Sequence, residues 1–142
     1  MYNPDEDGIT HINVYSKGKT ELGRFLSNFS YFPIKTEDGC FDSVEGYWYW
    51  LSCKDDNLRK MSGYQAKDYG RKHGGKDWLS DDNFKRKITS AIEIKIKSNQ
   101  YMYDKIKKCN LPFTHYYVYG SKLVNVPEAK WILDCINNLR YE

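Results

Sequence analysis

The chain has four cysteines, four prolines, three histidines and no long apolar run. Cys40, Cys53, Cys109 and Cys135 form no Cys-x-x-Cys pair, and no histidine stands near them at a ligand spacing. Neither a zinc site nor a disulfide framework is expected, and free thiols fit a reducing, cytoplasmic setting. No apolar stretch approaches the ~20 residues of a membrane span. The opening segment Met1–Gly8 is polar and acidic, so no signal peptide is expected either. The GxSxG elbow, the P-loop, GxGxxG and HExxH are all missing, which sets aside the hydrolases, nucleotide folds and zinc proteases that carry them. His11, His73 and His115 are scattered. His115, beside a tyrosine-rich stretch, reads either as a base or as a packed or surface histidine. No metal and no cofactor is called for, and oligomeric state is left open.

With 142 residues the chain fits a single domain over 1–142. A domain of this size buries roughly 68–70% of its unfolded surface, so it needs no covalent staple. Aromatic residues make up 16% of it, including 13 tyrosines and 4 tryptophans. They supply either an aromatic core or the lining of a cleft. Net charge is +3 but unevenly spread: Lys54–Lys108 holds 15 Lys and Arg against 8 Asp and Glu, a net +7, which leaves −4 for the remainder. A basic middle suits a phosphate-bearing partner; solvated helix faces are the plainer reading.

Alternation around Ile12 and Val14 predicts a strand over Thr10–Ser16, and Gly18 and Gly23 predict a turn over Lys17–Gly23. Phe25–Ile34 reads as a structured loop entering a short strand. Val44, Tyr47, Trp48 and Leu51 recur at helical spacing, so Ser43–Cys53 is expected to be a helix capped by Asp42. Met61–Lys72 is a second helix, with Tyr64 or Gln65, Ala66 and Tyr69 inward and Gly74-Gly75 ending it. Phe84, Ile88, Ala91, Ile92 and Ile96 point to a long helix, although Ile92, Ile94 and Ile96 also alternate as in a strand. Tyr101–Cys109 gives another helix. A hairpin follows, Tyr116–Tyr119 and Lys122–Val126 around Gly120-Ser121. Pro127 opens a last helix with Trp131, Ile132, Cys135, Ile136 and Leu139 on one face. The fold class is α+β, predominantly helical, with a small antiparallel β-sheet.

Glu45 is the best candidate for chemistry. It stands in the first turn of an aromatic helix, one step off the apolar stripe, near Tyr49 and Ser52 by spacing. Rings that strip water from a carboxylate raise its pKa and make it an acid or base. Asp42-x-x-Glu45 also has the form of a capping box. Glu128, after Pro127, has the same ambiguity at a helix start. Arg71 and Lys72 either grip a pyrophosphate or serve as ordinary C-terminal helix charges.

The segment Gly23-Arg24-Phe25-Leu26-Ser27-Asn28-Phe29, then Phe32-Pro33-Ile34, then Ser43-Val44-Glu45, resembles the opening signature of the NADAR family. Tyr69-Gly70-Arg71 resembles its central Gly-Arg element. Ile88, Ala91, Lys95 and Ile96 resemble its long helix, and Tyr119-Gly120 with Leu123-Val124 its late hairpin. The resemblance runs from about Val14 to Arg140. It implies an N-glycosidase that acts either on phosphoribosylated riboflavin intermediates or on ADP-ribosylated guanine in DNA. It also implies that Asn28 and Phe29 bind substrate, that Glu45 is the active-site acid, and that Gly70 and Arg71 lie near the phosphates. The chain departs from the pattern in places. Ser52 stands where the family has Lys seven residues after the Glu, Lys54 is two residues late, and Gly46 replaces a usual His. Trp78 stands near the family tryptophan, which falls at Ser80 without gaps. The late glycine-rich loop is missing, leaving Asn125, or Glu128 with Trp131, to substitute for it.

Read together, these residues give Glu45, or secondly Glu128, the catalytic role. Asn28, Phe29, Gly70, Arg71, Lys72, Tyr119 and Gly120 bind substrate. Trp48 and Trp131 stack on a base, Trp48 being equally a core residue. The expected partner is ADP-ribosylated nucleic acid or a ribosyl nucleotide, with no membrane. A non-catalytic binder of ADP-ribose or nucleotides is the second reading, and an interaction protein without a pocket the third.

Overall fold

A computed structural model describes residues 2–77 and 81–142. In chain order its elements are β1 (Ile12–Asn13), α1 (Glu21–Leu26), β2 (Ile34–Thr36), β3 (Gly39–Phe41), α2 (Val44–Cys53), α3 (Gly63–Lys72), α4 (Asp82–Lys97), α5 (Gln100–Lys108), β4 (Phe113–Thr114), β5 (Tyr116–Tyr119), β6 (Lys122–Asn125) and α6 (Lys130–Arg140). Short 3-10 turns lie at Pro4–Glu6, Asp56–Lys60 and Pro127–Ala129. The fold is α+β and mostly helical. Among the described residues the strands join in pairs: β2–β3 and β5–β6 are antiparallel, whereas β1–β4 is parallel. The antiparallel pairs are hairpins; β5–β6 was expected from Gly120-Ser121, whereas β3 and its pairing with β2 were not. The parallel pair joins Ile12 to Phe113, and no local pattern records such a distant partner. Among the described residues no helix is long and apolar enough to cross a membrane.

The residues gather into two compact units. One is the continuous stretch Asn28–Ser98; the other is built from the residues up to Ser27 together with Asn99–Glu142.

In the Asn28–Ser98 unit, α2 is buried from Val44 through Tyr49, six consecutive residues, so water is excluded all round its first half. Its cap is Ser43 rather than the expected Asp42. The Ser43 hydroxyl accepts from the Gly46 N–H at 3.0 Å and donates to the Met61 carbonyl at 2.8 Å. Asp42 instead serves through its backbone, donating to the Arg59 carbonyl and accepting from the Phe32 N–H, both at 2.8 Å. Two glycines let the helices approach closely. A Cβ on Gly46 would stand 2.5 Å from the Leu58 carbonyl oxygen, and one on Gly70 would stand 2.4 Å from the Tyr49 ring. On α3, Ala66 and Gly70 face inward; Tyr64 and Gln65 are exposed and Tyr69 is half-buried, so only part of the expected inward set holds. The residue that faces α2 closely is glycine, which hydropathy patterns ignore. α4 resolves the Ile92-Ile94-Ile96 ambiguity as helix. Asp81 caps it, accepting from the Asn83 and Phe84 N–H groups, and Ile92 and Ile96 turn inward one turn apart while Ile94 is half-buried. Asp38, in the β2–β3 turn, takes hydrogen bonds from Tyr47 at 2.6 Å and Lys87 at 2.9 Å, which fixes that turn against α2 and α4.

In the other unit, the expected turn over Lys17–Gly23 is partly helix. Thr20 caps α1 by accepting from the Gly23 N–H, and Gly23 is kept by crowding: a Cβ there would lie 2.2 Å from the Asn13 carbonyl oxygen. The expected strand over Thr10–Ser16 shortens to β1. His11 is fully buried, bonded to Thr10 at 2.9 Å and to Tyr116 at 2.6 Å. The β5–β6 hairpin turns at Gly120, whose φ is +62°, in the expected register. Pro127 opens a 3-10 turn before α6, whose Ile132, Cys135, Ile136 and Leu139 are buried.

The tight approach at Gly46 gives a test. Gly46→Ala should lower the unfolding free energy by about 1–3 kcal/mol, the usual cost of overpacking. Urea denaturation measures it; an unchanged midpoint would mean that the 55–60 turn does not rest on α2.

Candidate active site

Glu45 owes its position to Ser43. The cap sets the helix start, and Glu45 follows as the second helical residue with only 8% of its surface exposed. Its N–H donates to the Asn28 carbonyl at 3.0 Å, which ties the loop before β2 to the start of α2. The capping-box reading therefore fails: Ser43 performs the cap and the Glu45 side chain is buried. Burial drives its carboxyl up to about 8, far above the ordinary carboxylate range. Lys67 and Arg71 pull it down and Asp77 pushes it up, but these charges do not offset the loss of water. At neutral pH Glu45 is mostly a neutral acid.

Asp77 organises the charges around it. Its carboxylate accepts both forked donors of Arg71 at 2.6 Å and the Tyr49 hydroxyl at 2.8 Å, while its carbonyl accepts the Trp48 indole N–H at 2.9 Å. The Arg71 hydrogen bond holds Asp77 below its usual range. Tyr49 is raised, by burial first and then by the charge of Glu45. Asp77 was not singled out in the sequence, because nothing in its spacing links it to α2.

Lys67 is the second residue that sequence reasoning missed. One helical turn before Arg71, it supplies the strongest opposing charge on Glu45, and its ammonium lies 5.9 Å from the centre of the Phe29 ring. The i,i+4 spacing of Lys67 and Arg71 was the available signal. Ser52, at the position where the family pattern has lysine, has a structural task. Its hydroxyl donates to the Tyr49 carbonyl at 3.1 Å and accepts the Lys76 N–H at 2.9 Å. Gly46, where a histidine would be usual, has no room for any side chain.

Of the expected site residues, Asn28, Phe29, Glu45, Trp48, Gly70, Arg71 and Lys72 fall in the Asn28–Ser98 unit. Asn28 and Phe29 are half-buried, and Phe29 meets Tyr64 edge-on with ring centres 5.0 Å apart. Trp48 is 6% exposed and packs edge-on against Phe84, which makes it a core residue. Gly70 serves the contact of α3 with Tyr49. Arg71 is exposed with its fork on Asp77, and Lys72 is exposed at the end of α3. Tyr119, Gly120, Glu128 and Trp131 belong to the other unit. Tyr119 and Gly120 are exposed at the hairpin turn, Glu128 is exposed in the 3-10 turn before α6, and Trp131 is half-buried in the first turn of α6. Asn125 is exposed at the end of β6. Trp78 and Ser80 lie outside the described residues. Among the described residues no three His, Cys, Asp or Glu gather as metal ligands.

The unit holds one more buried ionisable group. Lys95, on the inner face of α4, is 2% exposed; burial brings its amine down to about 7, and it donates to the Ser30 hydroxyl at 2.6 Å.

A mostly helical α+β fold with paired short strands, carrying a buried acid at the start of an aromatic helix, is thus the class to which the chain belongs. The same fold occurs in a solved structure, the Escherichia coli protein YbiA determined by NMR: the TM-score is 0.66 at 16% identity, covering 99% of this chain and 92% of that one. No protein-family model matches the chain, and no curated protein matches it in sequence.

The two buried groups act on stability with opposite signs. Between about pH 4.5 and 8 the folded state keeps a proton on Glu45 that the unfolded chain has lost, so stability falls as pH rises. Between about pH 7 and 10.5 the unfolded chain carries a proton on Lys95 that the folded state lacks, so stability rises with pH. Each limb is worth roughly 5 kcal/mol at most. Urea titrations from pH 5 to 10 should show a trough near pH 7–8, with Glu45→Gln removing the falling limb and Lys95→Met the rising one. A maximum at neutral pH that neither substitution alters would contradict the burial of both.

Proposed function

We propose that this protein is an N-glycosidase of the NADAR type that releases ADP-ribose from guanine bases of DNA. The observation that carries this reading is Glu45, a carboxyl kept protonated near neutrality beside the Asn28–Phe29 loop. The resemblance of the Ser27-Asn28-Phe29, Ser43-Val44-Glu45 and Gly70-Arg71 segments to the NADAR pattern supports the class of reaction, and the chain shares its fold with YbiA. In the proposed step the bond between the ribosyl anomeric carbon and the amine nitrogen breaks, its electron pair leaving with nitrogen. Glu45 gives that nitrogen its proton. Water then adds to the oxocarbenium carbon and returns a proton to the Glu45 carboxylate, restoring the acid.

Asn28 would hold ribose hydroxyls, and Phe29 with Tyr64 would flank the leaving base. Lys72 and Lys67 are the cations nearest in sequence and charge to take up a diphosphate, since a diphosphate would have to compete with Asp77 for the Arg71 fork. The basic stretch Lys54–Lys108 favours a nucleic-acid substrate over a free metabolite. A guanine in a duplex would need to be extruded to reach a buried acid, so single strands should react faster.

The test is incubation with an ADP-ribosylated guanine oligonucleotide, reading free ADP-ribose by mass spectrometry. Glu45→Gln should cost about 10²–10³ in rate, and kcat should decline above about pH 8 as Glu45 ionises. Full activity in a folded Glu45→Gln variant removes this residue from the reaction. Turnover on DNA should fall steeply with salt; salt-insensitive turnover of a phosphoribosylated small molecule would redirect the reading to that substrate, and tight binding of ADP-ribose without release to a non-catalytic binder.

A further inference from the structure

The stretch Asn28–Pro33 contains neither helix nor strand, so its course depends on tethers to its surroundings. Three of these are backbone hydrogen bonds: Glu45 N–H to the Asn28 carbonyl at 3.0 Å, Gly63 N–H to the Phe29 carbonyl at 3.1 Å, and Phe32 N–H to the Asp42 carbonyl at 2.8 Å. Side chains add to these, among them Lys95 Nζ donating to Ser30 Oγ at 2.6 Å and the edge-on contact of Phe29 with Tyr64. Lys95 lies on a face of α4 otherwise occupied by Ile88, Ala91, Ile92 and Ile96, all buried. Leucine or methionine would fill such a place without desolvating an amine, which is costly. A lysine does what neither can: its long stem crosses the apolar layer and ends in a donor.

We propose that Lys95 is a positioning residue of the active site: by holding Ser30 it fixes the loop on which Asn28 and Phe29 meet the ligand beside Glu45. The inference rests on the reading of Glu45 as the centre of the site. Either protonation state of Lys95 can donate to a hydroxyl, so the tether does not depend on its charge. The burial that brings its pKa near 7 is the cost of carrying the donor so deep.

Two measurements on Lys95→Met, Ser30→Ala and the double variant decide the matter. Amide hydrogen exchange should rise about tenfold at Phe29–Tyr31, the fold-change of one buried hydrogen bond, while the Ile88–Ile92 amides of α4 stay protected. With the ADP-ribosylated oligonucleotide, KM should rise by about the same factor with kcat little changed. The double variant should lose less than the two single losses combined, and Lys95→Gln, which keeps a donor, should recover part of the loss. Unaltered loop exchange and KM in Lys95→Met overturn the proposal, as does exchange that rises throughout α4 or effects that simply add. A wild-type protein that releases no ADP-ribose overturns the glycosidase reading, and the exchange measurement then still decides whether Lys95 holds the loop.

Discussion

The Asn28–Ser98 unit depends on the exclusion of water from the first half of α2. A surface helix buries one stripe, but here six successive residues are enclosed. That enclosure converts Glu45 from an ordinary acid at a helix start into a neutral proton donor. It also explains the glycines at 46 and 70: a helix packed on every side needs places where a neighbour's backbone or ring can come within a carbon's radius. The Ser43 hydroxyl, bonded both to the helix it caps and to the Met61 carbonyl, locks the helix start to the turn that covers it.

Around that acid the polar groups are arranged so that few ends are loose. Asp77 gathers Arg71, Tyr49 and Trp48, one group from α3 and two from α2. Its carboxylate stays ionised while Glu45 stays protonated, and the difference lies in solvent and partners. Asp77 is about half exposed and forked onto a guanidinium; Glu45 is buried, with its strongest opposing charge on Lys67. Two carboxyl groups in one unit thereby hold different protonation states, the condition under which one can act as an acid while the other organises charge.

Much of this was legible in the sequence. Helix spacing predicted α2, α4, α5 and α6, the Gly120-Ser121 pair predicted the hairpin, and the place of Glu45 among rings marked it as the residue to watch. The failures share a physical origin. The cap moved from Asp42 to Ser43 because the backbone of Asp42 is engaged by Phe32 and Arg59, partners remote in sequence. The short helix α1 was hidden because Gly23 looks like a breaker but is required by the approach of Asn13. Asp77 and the task of Ser52 depend on contacts among segments that no periodicity relates, whereas Lys67 was signalled only by its i,i+4 spacing to Arg71. Lys95 was visible only as part of a helix pattern, since a sequence does not show that a lysine on an apolar face points inward.

Lys95 and Glu45 have a calorimetric consequence. Each keeps its less hydrated form in a dry interior at the expense of a proton exchanged with the surroundings. A ligand that brings a formal charge against either one changes how many protons the complex holds. Its binding heat will therefore include the ionisation heat of whatever buffer is present, and comparing phosphate with Tris separates the intrinsic enthalpy of association from the proton traffic that accompanies it.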